Sequence, residues 1–400
     1  MSLTATARHC DARRRRGRVV SVDVGHRVLA TDSGEFVRYD QLVVATGARA
    51  VDAIRGALTF TGPSDTRAVS ALLDGCERGE VRSLAFALPT AAAWSLPLYE
   101  LAVMAATDLR DRGAATSITV VTPEPSPLWL FGEAAGEAIN ELLMARDIRL
   151  VRGRPIGHAR GALRLADGGE IAADACIALP ALRGPAITGL PADTRGFLPV
   201  DPHGAVRGVL YVRAAGDATS FPIKQGGLAC QQADAVAAAI AADLGAVESA
   251  PPFRPVLRGL MLTGGAPLYL RAELDSEGAV TRHEGQRLLG EVSTRALWWP
   301  PGKVAGRYLA PYLATARPVA LGRAPLADLT PNASAAPRPA GADEAVELAL
   351  LLAEQDALMG DHAQAAHALD AAAALTGGVL PARAARLRDE CLAAAGPLPT

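Results

Sequence analysis

The feature that most constrains the fold is a change of hydrophobic period within residues 18–48. From Arg18 to Val37 apolar and polar residues alternate through turns at Gly25-His26 and Asp32-Ser-Gly34, the pattern of a meander with one wet face. At Leu42-Val-Val-Ala45 the alternation stops and four apolar residues run together. A strand of that kind expects cover on both faces, as in the parallel sheet of an α/β protein. Thr46-Gly47-Ala48 then makes a sharp exit. Much later, Phe197–Asp201 and Val209–Ala214 read as strands, and Gly226–Leu244 as an alanine-rich helix ended by Gly245.

Between these two regions lies a complete βαβ pattern. Ser83–Leu88 is an apolar strand, Ser95 or Leu96 through Arg112 a helix closed by Gly113, and Ser117–Val121 a second parallel strand. A helix over 64–78, with Ser64 as N-cap and Gly79 beyond its end, precedes it. A helix at Glu133–Arg146, a short strand at Arg149–Arg152, a hairpin turning at Asp167-Gly-Gly169 and a buried strand at Ala175–Leu179 follow it. Where a phosphate-binding unit carries glycines, this chain has Pro89-Thr-Ala-Ala-Ala-Trp94. No two glycines anywhere stand two residues apart, so the turn G-x-G-x-x-G does not occur and NAD(P) binding is not expected. Glu124 stands where an acidic residue would hold a ribose hydroxyl, or is an ordinary loop carboxylate.

With 400 residues, half of them hydrophobic, the chain can build two or three cores. A net charge of -2 argues against nucleic acid as a partner. Five cysteines, odd in number and without a C-x-x-C pair, suit a reducing, cytoplasmic setting. There is no run of 18 apolar residues, so no spanning helix is expected. The basic run Arg13–Arg18 leads into an alternating strand, unlike a signal peptide; it reads as a solvated lead-in, and contact with phosphate or anionic lipid is the alternative. Histidines are scattered, and no metal-ligand cluster is visible.

Residues 253–323 carry a hairpin-like pattern at Leu268–Leu274 with a turn at Ser276-Glu-Gly278, and the aromatic stretch Trp298-Trp299-Pro-Pro-Gly302. Residues 324–341 are rich in Pro, Ala, Asn and Ser and read as a linker. Asp343–Met359, His362–Leu375 and Pro381–Ala395 follow as amphipathic helices that resemble one tetratricopeptide-like hairpin with a further helix, a surface for a protein partner or a second copy.

The stretch Ala214-Ala-Gly-Asp-Ala-Thr-Ser-Phe-Pro-Ile-Lys-Gln-Gly-Gly-Leu-Ala229, taken with Tyr39-Asp-Gln-Leu-Val-Val-Ala-Thr-Gly-Ala48, resembles the two-dinucleotide-binding-domain flavoproteins, the pyridine nucleotide-disulfide oxidoreductase family. Within it the chain is similar to sulfide:quinone oxidoreductase and type II NADH dehydrogenase relatives, from about Val19 to Tyr312. The resemblance implies an α/β architecture: a partial FAD-type Rossmann-like domain at 1–80 and 190–252, an inserted nicotinamide-type βαβ domain at 81–189, and a small α+β interface segment at 253–323. The linker at 324–341 and a C-terminal α-helical appendage at 342–396 complete it.

It also implies FAD as cofactor and an oxidoreductase passing electrons or hydride to a small-molecule or quinone-like acceptor, with peripheral contact at the inner face of a membrane. Thr46 and Gly47 would cross close to the nucleotide. Gly216 and Asp217 would hold the ribityl chain, and Lys224, Gln225, Gly226 and Gly227 would meet the isoalloxazine ring. Cys230, on the first turn of the following helix, is the cysteine whose thiol a helix dipole would activate; the alternative is a small residue on an alanine-rich face.

Two departures matter. The family's first βαβ unit, with its pyrophosphate-binding turn, would lie upstream of Met1, and no redox cysteine pair is recognisable by spacing. An FAD enzyme and a non-catalytic remnant acting through its C-terminal helices both stay open, as does a misplaced start. Without that unit, Leu42–Ala45 should show an unpaired edge and an exposed face, and the chain should aggregate or need a partner.

Overall fold

The structure, a computed structural model, describes residues 3–91, 94–279, 290–310, 312, 327–328, five helical positions between 346 and 357, and 362–395. A short helix, α1 (Leu3–His9), and the exposed basic run lead into β1 (Val19–Asp23), β2 (Val28–Thr31) and β3 (Phe36–Arg38). These form the antiparallel meander, with Val22, Leu29 and Val37 in register. Strand β4 (Leu42–Val44) follows, and β5 (Arg49–Val51) carries the chain into the inserted unit.

The insert begins with β6 (Leu58–Thr59), α2 (Thr66–Glu77) and β7 (Ser83–Ala87), then α3 (Leu96–Asp111), β8 (Ser117–Thr122), α4 (Glu133–Met144) and β9 (Ile148–Arg152). An antiparallel trio, β10 (Pro155–Ala159), β11 (Ala162–Leu165) and β12 (Glu170–Ala172), precedes β13 (Ala175–Ala178). Strands β6, β13, β7, β8 and β9 make a parallel sheet in that order. Strand β7 shows why its sequence reads as continuously apolar. Leu84, Phe86 and Leu88 pack with residues of α2, α3 and α4, while Ala85 and Ala87 pack with Leu163 and Ile171 of the antiparallel trio. Both faces are therefore covered.

Strand β14 (Ala181–Arg183) returns antiparallel to β5, so the two crossings run side by side. Strand β15 (Val212–Ala214) then lies parallel to β4, and α5 (Gly226–Asp243) follows. An antiparallel sheet of β16 (Val256–Met261), β17 (Leu268–Glu273) and β18 (Gly290–Ser293) comes next, with the short pair β19 (Trp298–Trp299) and β20 (Ala327–Asp328), and helices α6 (His362–Leu375) and α7 (Ala382–Ala395). The fold is α/β with a Rossmann-type parallel sheet and C-terminal helices.

Several expectations change. Asp65, not Ser64, precedes α2, and its carboxylate accepts the N–H and hydroxyl of Thr61. Phe197–Asp201 is not a regular strand; Leu198 and Val200 form only single bridges, although Phe197 and Leu198 are buried. Strand β16 was not anticipated, because its arginine and glycine interrupt the alternation. The linker at 324–341 lies almost wholly outside the described residues, as does most of Asp343–Met359; Val346, Ala349 and Ala353 are helical.

Strand β4 has the apolar run of a covered strand but shows the unpaired edge and exposed face expected without the first βαβ unit. Leu42 N–H donates to Tyr211 O and Val44 O accepts from Ala215 N–H, so alternate residues face β15. The backbone groups of Val43 point to the other side, where no strand stands among the described residues, and Val43 is 43% exposed. Leu210 and Tyr211 beside it are also exposed. Such a bare edge should self-associate. Light scattering after size exclusion should show mass rising with concentration, and Val43→Lys should lower that rise with little change in melting temperature; equal behaviour of the two proteins would refute this use of the edge.

The C-terminal helices are seated on the body through Trp299, which is fully buried with Ala349, Ala353, Ala365 and Leu369. Removing that side chain should cost about 3–5 kcal/mol. Trp299→Ala should expose α6 and α7 to a protease under native conditions; unchanged cleavage would count against this seat.

Candidate functional site

The two separated motifs meet at one place. The parallel register pairs Val44 with Ala214, so Thr46-Gly47 and Gly216-Asp217 emerge together at the carboxyl ends of adjacent strands. Both corners need glycine: Gly47 has φ +73° and Gly216 φ +70°. The second is fixed further. Gly216 N–H donates to Gln232 Oε1 at 2.6 Å, and Thr219 Oγ donates to Gly216 O at 2.9 Å. Thr46 is exposed, at the mouth of this corner.

Asp217 is half-buried, and its carboxylate accepts no hydrogen bond from the described residues. Burial pushes its carboxyl above the usual range, with Lys224 opposing. Lys224 is folded inward, donating from Nζ to Thr219 O and lying 3.9 Å from the centroid of the Phe197 ring. Burial brings its ammonium down to about 8, and Asp217 works against that fall. A carboxylate and an amine are thus held in a dry corner at the N-terminus of α5.

Gln225 is buried and committed to the fold. Its Oε1 caps Leu228 N–H at 2.9 Å, and its Nε2 donates to Arg258 O of β16 at 3.0 Å. What this segment offers a ligand is backbone. Gly226 is exposed, with nothing within 4 Å of where a β-carbon would stand, and the first N–H groups of α5 carry the positive end of the helix. Gly227 is buried against the Gln225 amide.

Cys230 has surroundings that oppose an activated thiol. It stands half-buried near Gly306, and burial, followed by the charge of Asp234, pushes its thiol up. Trp298 and Trp299 are interior residues and cannot stack on a ligand.

At the inserted parallel sheet, the position of a nucleotide cleft is filled. Trp94 packs on Phe131 at 5.8 Å, and Glu124 is neither a ribose ligand nor a solvated loop carboxylate. It is 2% exposed and accepts hydrogen bonds from Ser95 Oγ at 2.7 Å, Tyr99 Oη at 2.7 Å and Thr122 Oγ at 3.0 Å. The antiparallel sheet covers the same end: a β-carbon at Gly259 would fall 2.7 Å from Leu96 Cδ1, and one at Gly290 only 1.4 Å from Phe131 O. Sequence reasoning missed the hydroxyl set; Ser95 and Tyr99, one turn apart at the start of α3, were its signal. No helix among the described residues is long and apolar enough to cross a membrane, and these residues hold no metal-ligating cluster.

No protein-family model and no curated protein matches the sequence. Solved structures do match. Sulfide:quinone oxidoreductase of Aquifex aeolicus is 19% identical over 70% of each chain, with a TM-score of 0.59. A ferredoxin reductase of Rhodopseudomonas palustris is 17% identical over 68% of each chain, at 0.52. A chain in the mitochondrial ATP synthase tetramer of Tetrahymena thermophila is 16% identical over 68% of this chain and 72% of that one, also at 0.52. At these identities the likeness establishes the fold, one shared with flavoprotein oxidoreductases.

Burial, opposed by its three hydroxyl donors, leaves the Glu124 carboxyl above its ordinary range. A carboxyl raised on folding favours the folded state below its unfolded pKa, and that contribution disappears as pH rises through the folded value. Glu124→Gln should remove this dependence. The melting temperature of the variant, measured relative to the unmodified protein, should climb as pH rises from the ordinary carboxylate range toward neutral; a constant difference would contradict the burial argument.

Proposed function

We propose that the chain is a flavin-dependent oxidoreductase that holds the flavin end of FAD at the β4–β15 corner. The observation that carries this reading is the parallel register that sets Thr46-Gly47 beside Gly216-Asp217 at the start of α5. The residues fit that part of the cofactor. Asp217 has acceptor capacity with no donor among the described residues, suited to sugar-alcohol hydroxyls, and the bare backbone of Gly226 gives a ring room to approach the helix N–H groups. The described residues supply no glycine-rich turn for the pyrophosphate, so the assignment concerns the ribityl chain and the ring. When bound, the flavin supplies hydride or electron transfer.

The protein's own residues bind and polarise. Asp217 would accept from the ribityl hydroxyls, the α5 N-terminus would favour negative charge at the ring edge, and Lys224 would hold Asp217 ionised by its proximity. Lys224 itself keeps to Phe197 and the Thr219 carbonyl, so it acts on the ring through the loop it pins. Cys230 is assigned no role. A quinone-like acceptor is the electron partner, by analogy with the sulfide:quinone oxidoreductase, and the protein works in the cytoplasm with peripheral contact at the inner face of a membrane. NAD(P) takes no part, given the sealed Glu124.

A second reading is a non-catalytic protein that acts through contacts with a partner. The filled cleft at Trp94 and Glu124 favours it, as does the occurrence of the same fold in a chain of an ATP synthase assembly. Titration of the purified protein with FAD, FMN and riboflavin, followed by flavin fluorescence, separates the two. Saturable quenching is expected, and Asp217→Ala should weaken it at least tenfold, in line with about 1.5–3 kcal/mol for a hydrogen bond to a charged group. Protein that neither carries nor takes up any of the three flavins would sink the enzyme reading and leave the second.

A further inference from the structure

A separate cavity of about 410 Å³ lies between the 200–207 hairpin, the middle of α5, the Ser220–Pro222 loop and the Ser276-Glu277 turn. None of the residues assigned to the flavin lines it. Its apolar wall is aromatic: Phe221 and Phe253 meet edge to face at 5.3 Å, with Pro202 and Pro222 alongside. Its size is that of a pocket for a small molecule, for which about 300–1,000 Å³ is usual.

The polar groups on the wall fall into two sets. Three are donors. Gln232 is 8% exposed, with Oε1 committed to Gly216 N–H, and its Nε2 has no acceptor among the described residues. Ser220 Oγ likewise has no partner there, and Arg207 spends only its Nε, on Val200 O at 3.2 Å. Two are acceptors. Asp201 gives Oδ1 to the N–H groups of His203 and Ala205 and keeps Oδ2, while the Glu277 carboxylate has no partner among the described residues. These groups bring to the cavity wall hydrogen-bonding capacity that an occupant can use.

We propose that this cavity binds a free α-amino acid with a large apolar side chain. Arg207, Ser220 and Gln232 take the carboxylate, Asp201 and Glu277 take the ammonium, and the phenylalanine and proline wall takes the side chain. Charge decides the class. A lone cation would leave the Arg207, Ser220 and Gln232 donors unused, a lone anion would meet two carboxylates, and an inorganic ion would leave the aromatic wall wet. The site stands independently of the flavin reading, although its occupant touches Gln232, the side chain that fixes Gly216.

Titration calorimetry on the full chain, without flavin, with L-leucine, L-phenylalanine and L-tryptophan as probes, tests this. At least one should bind saturably at one site per chain. Phenethylamine, which lacks the carboxylate, and hydrocinnamate, which lacks the ammonium, should bind at least tenfold more weakly. Arg207→Ala and Glu277→Gln, both at exposed positions and each checked for an unchanged melt, should each weaken the amino acid at least fivefold. The proposal falls if none of the three amino acids gives saturable heat into the tens of millimolar, if either singly charged analogue binds equally well, or if both variants bind as the unmodified protein does.

Discussion

Everything at the candidate site depends on one backbone pairing, between Leu42–Val44 and Val212–Ala214. It joins segments from opposite sides of the insert, and its last hydrogen bond, Ala215 N–H to Val44 O at 3.1 Å, sits directly before both glycine corners. Parallel pairing is obligatory for this result, because antiparallel strands would send Thr46 and Asp217 to opposite ends. The crossings β5 and β14 stabilise the arrangement by running the outgoing and returning chain together. The fold thereby brings two short motifs to the same end of one strand pair, with a helix following the second.

Much of this was legible in the residues. The shift from alternating to continuous apolar character marked β4 and the strands of the insert, and Gly216-Asp217 before a glycine-started helix marked the corner. What stayed hidden followed from pairing beyond the reach of local pattern. The bare edge at Leu42–Ala45 was foreseen only from the sheet as a whole, because its own residues look like a strand covered on both faces. Phe197–Asp201 has strand-like residues, but its backbone is spent on single bridges around a turn. Side-chain commitments were equally invisible. Gln225 and Lys224 belong to a ligand-facing motif by sequence, whereas three-dimensional neighbours turn the first into a cap and the second into a buried cation over an aromatic ring.

Glu124 shows how a position can keep its residue type and change its physics. At the carboxyl end of β8 an acidic side chain can reach solvent only if the preceding turn is open. Here the carboxylate is desolvated and must find its donors within the protein. Ser95 and Tyr99 supply them from the first turn of α3, where a free helix terminus would otherwise have faced a phosphate. The same few residues that remove an anion site thus create an internal one.

The close seat of the antiparallel sheet on the insert has a mechanical meaning. Gly259 and Gly290 bring backbone so close to Leu96 and Phe131 that neither position has room for a β-carbon. A side chain at either position would therefore have to push the sheet away from the insert, so the join between the two rests on residues that carry no chemistry of their own.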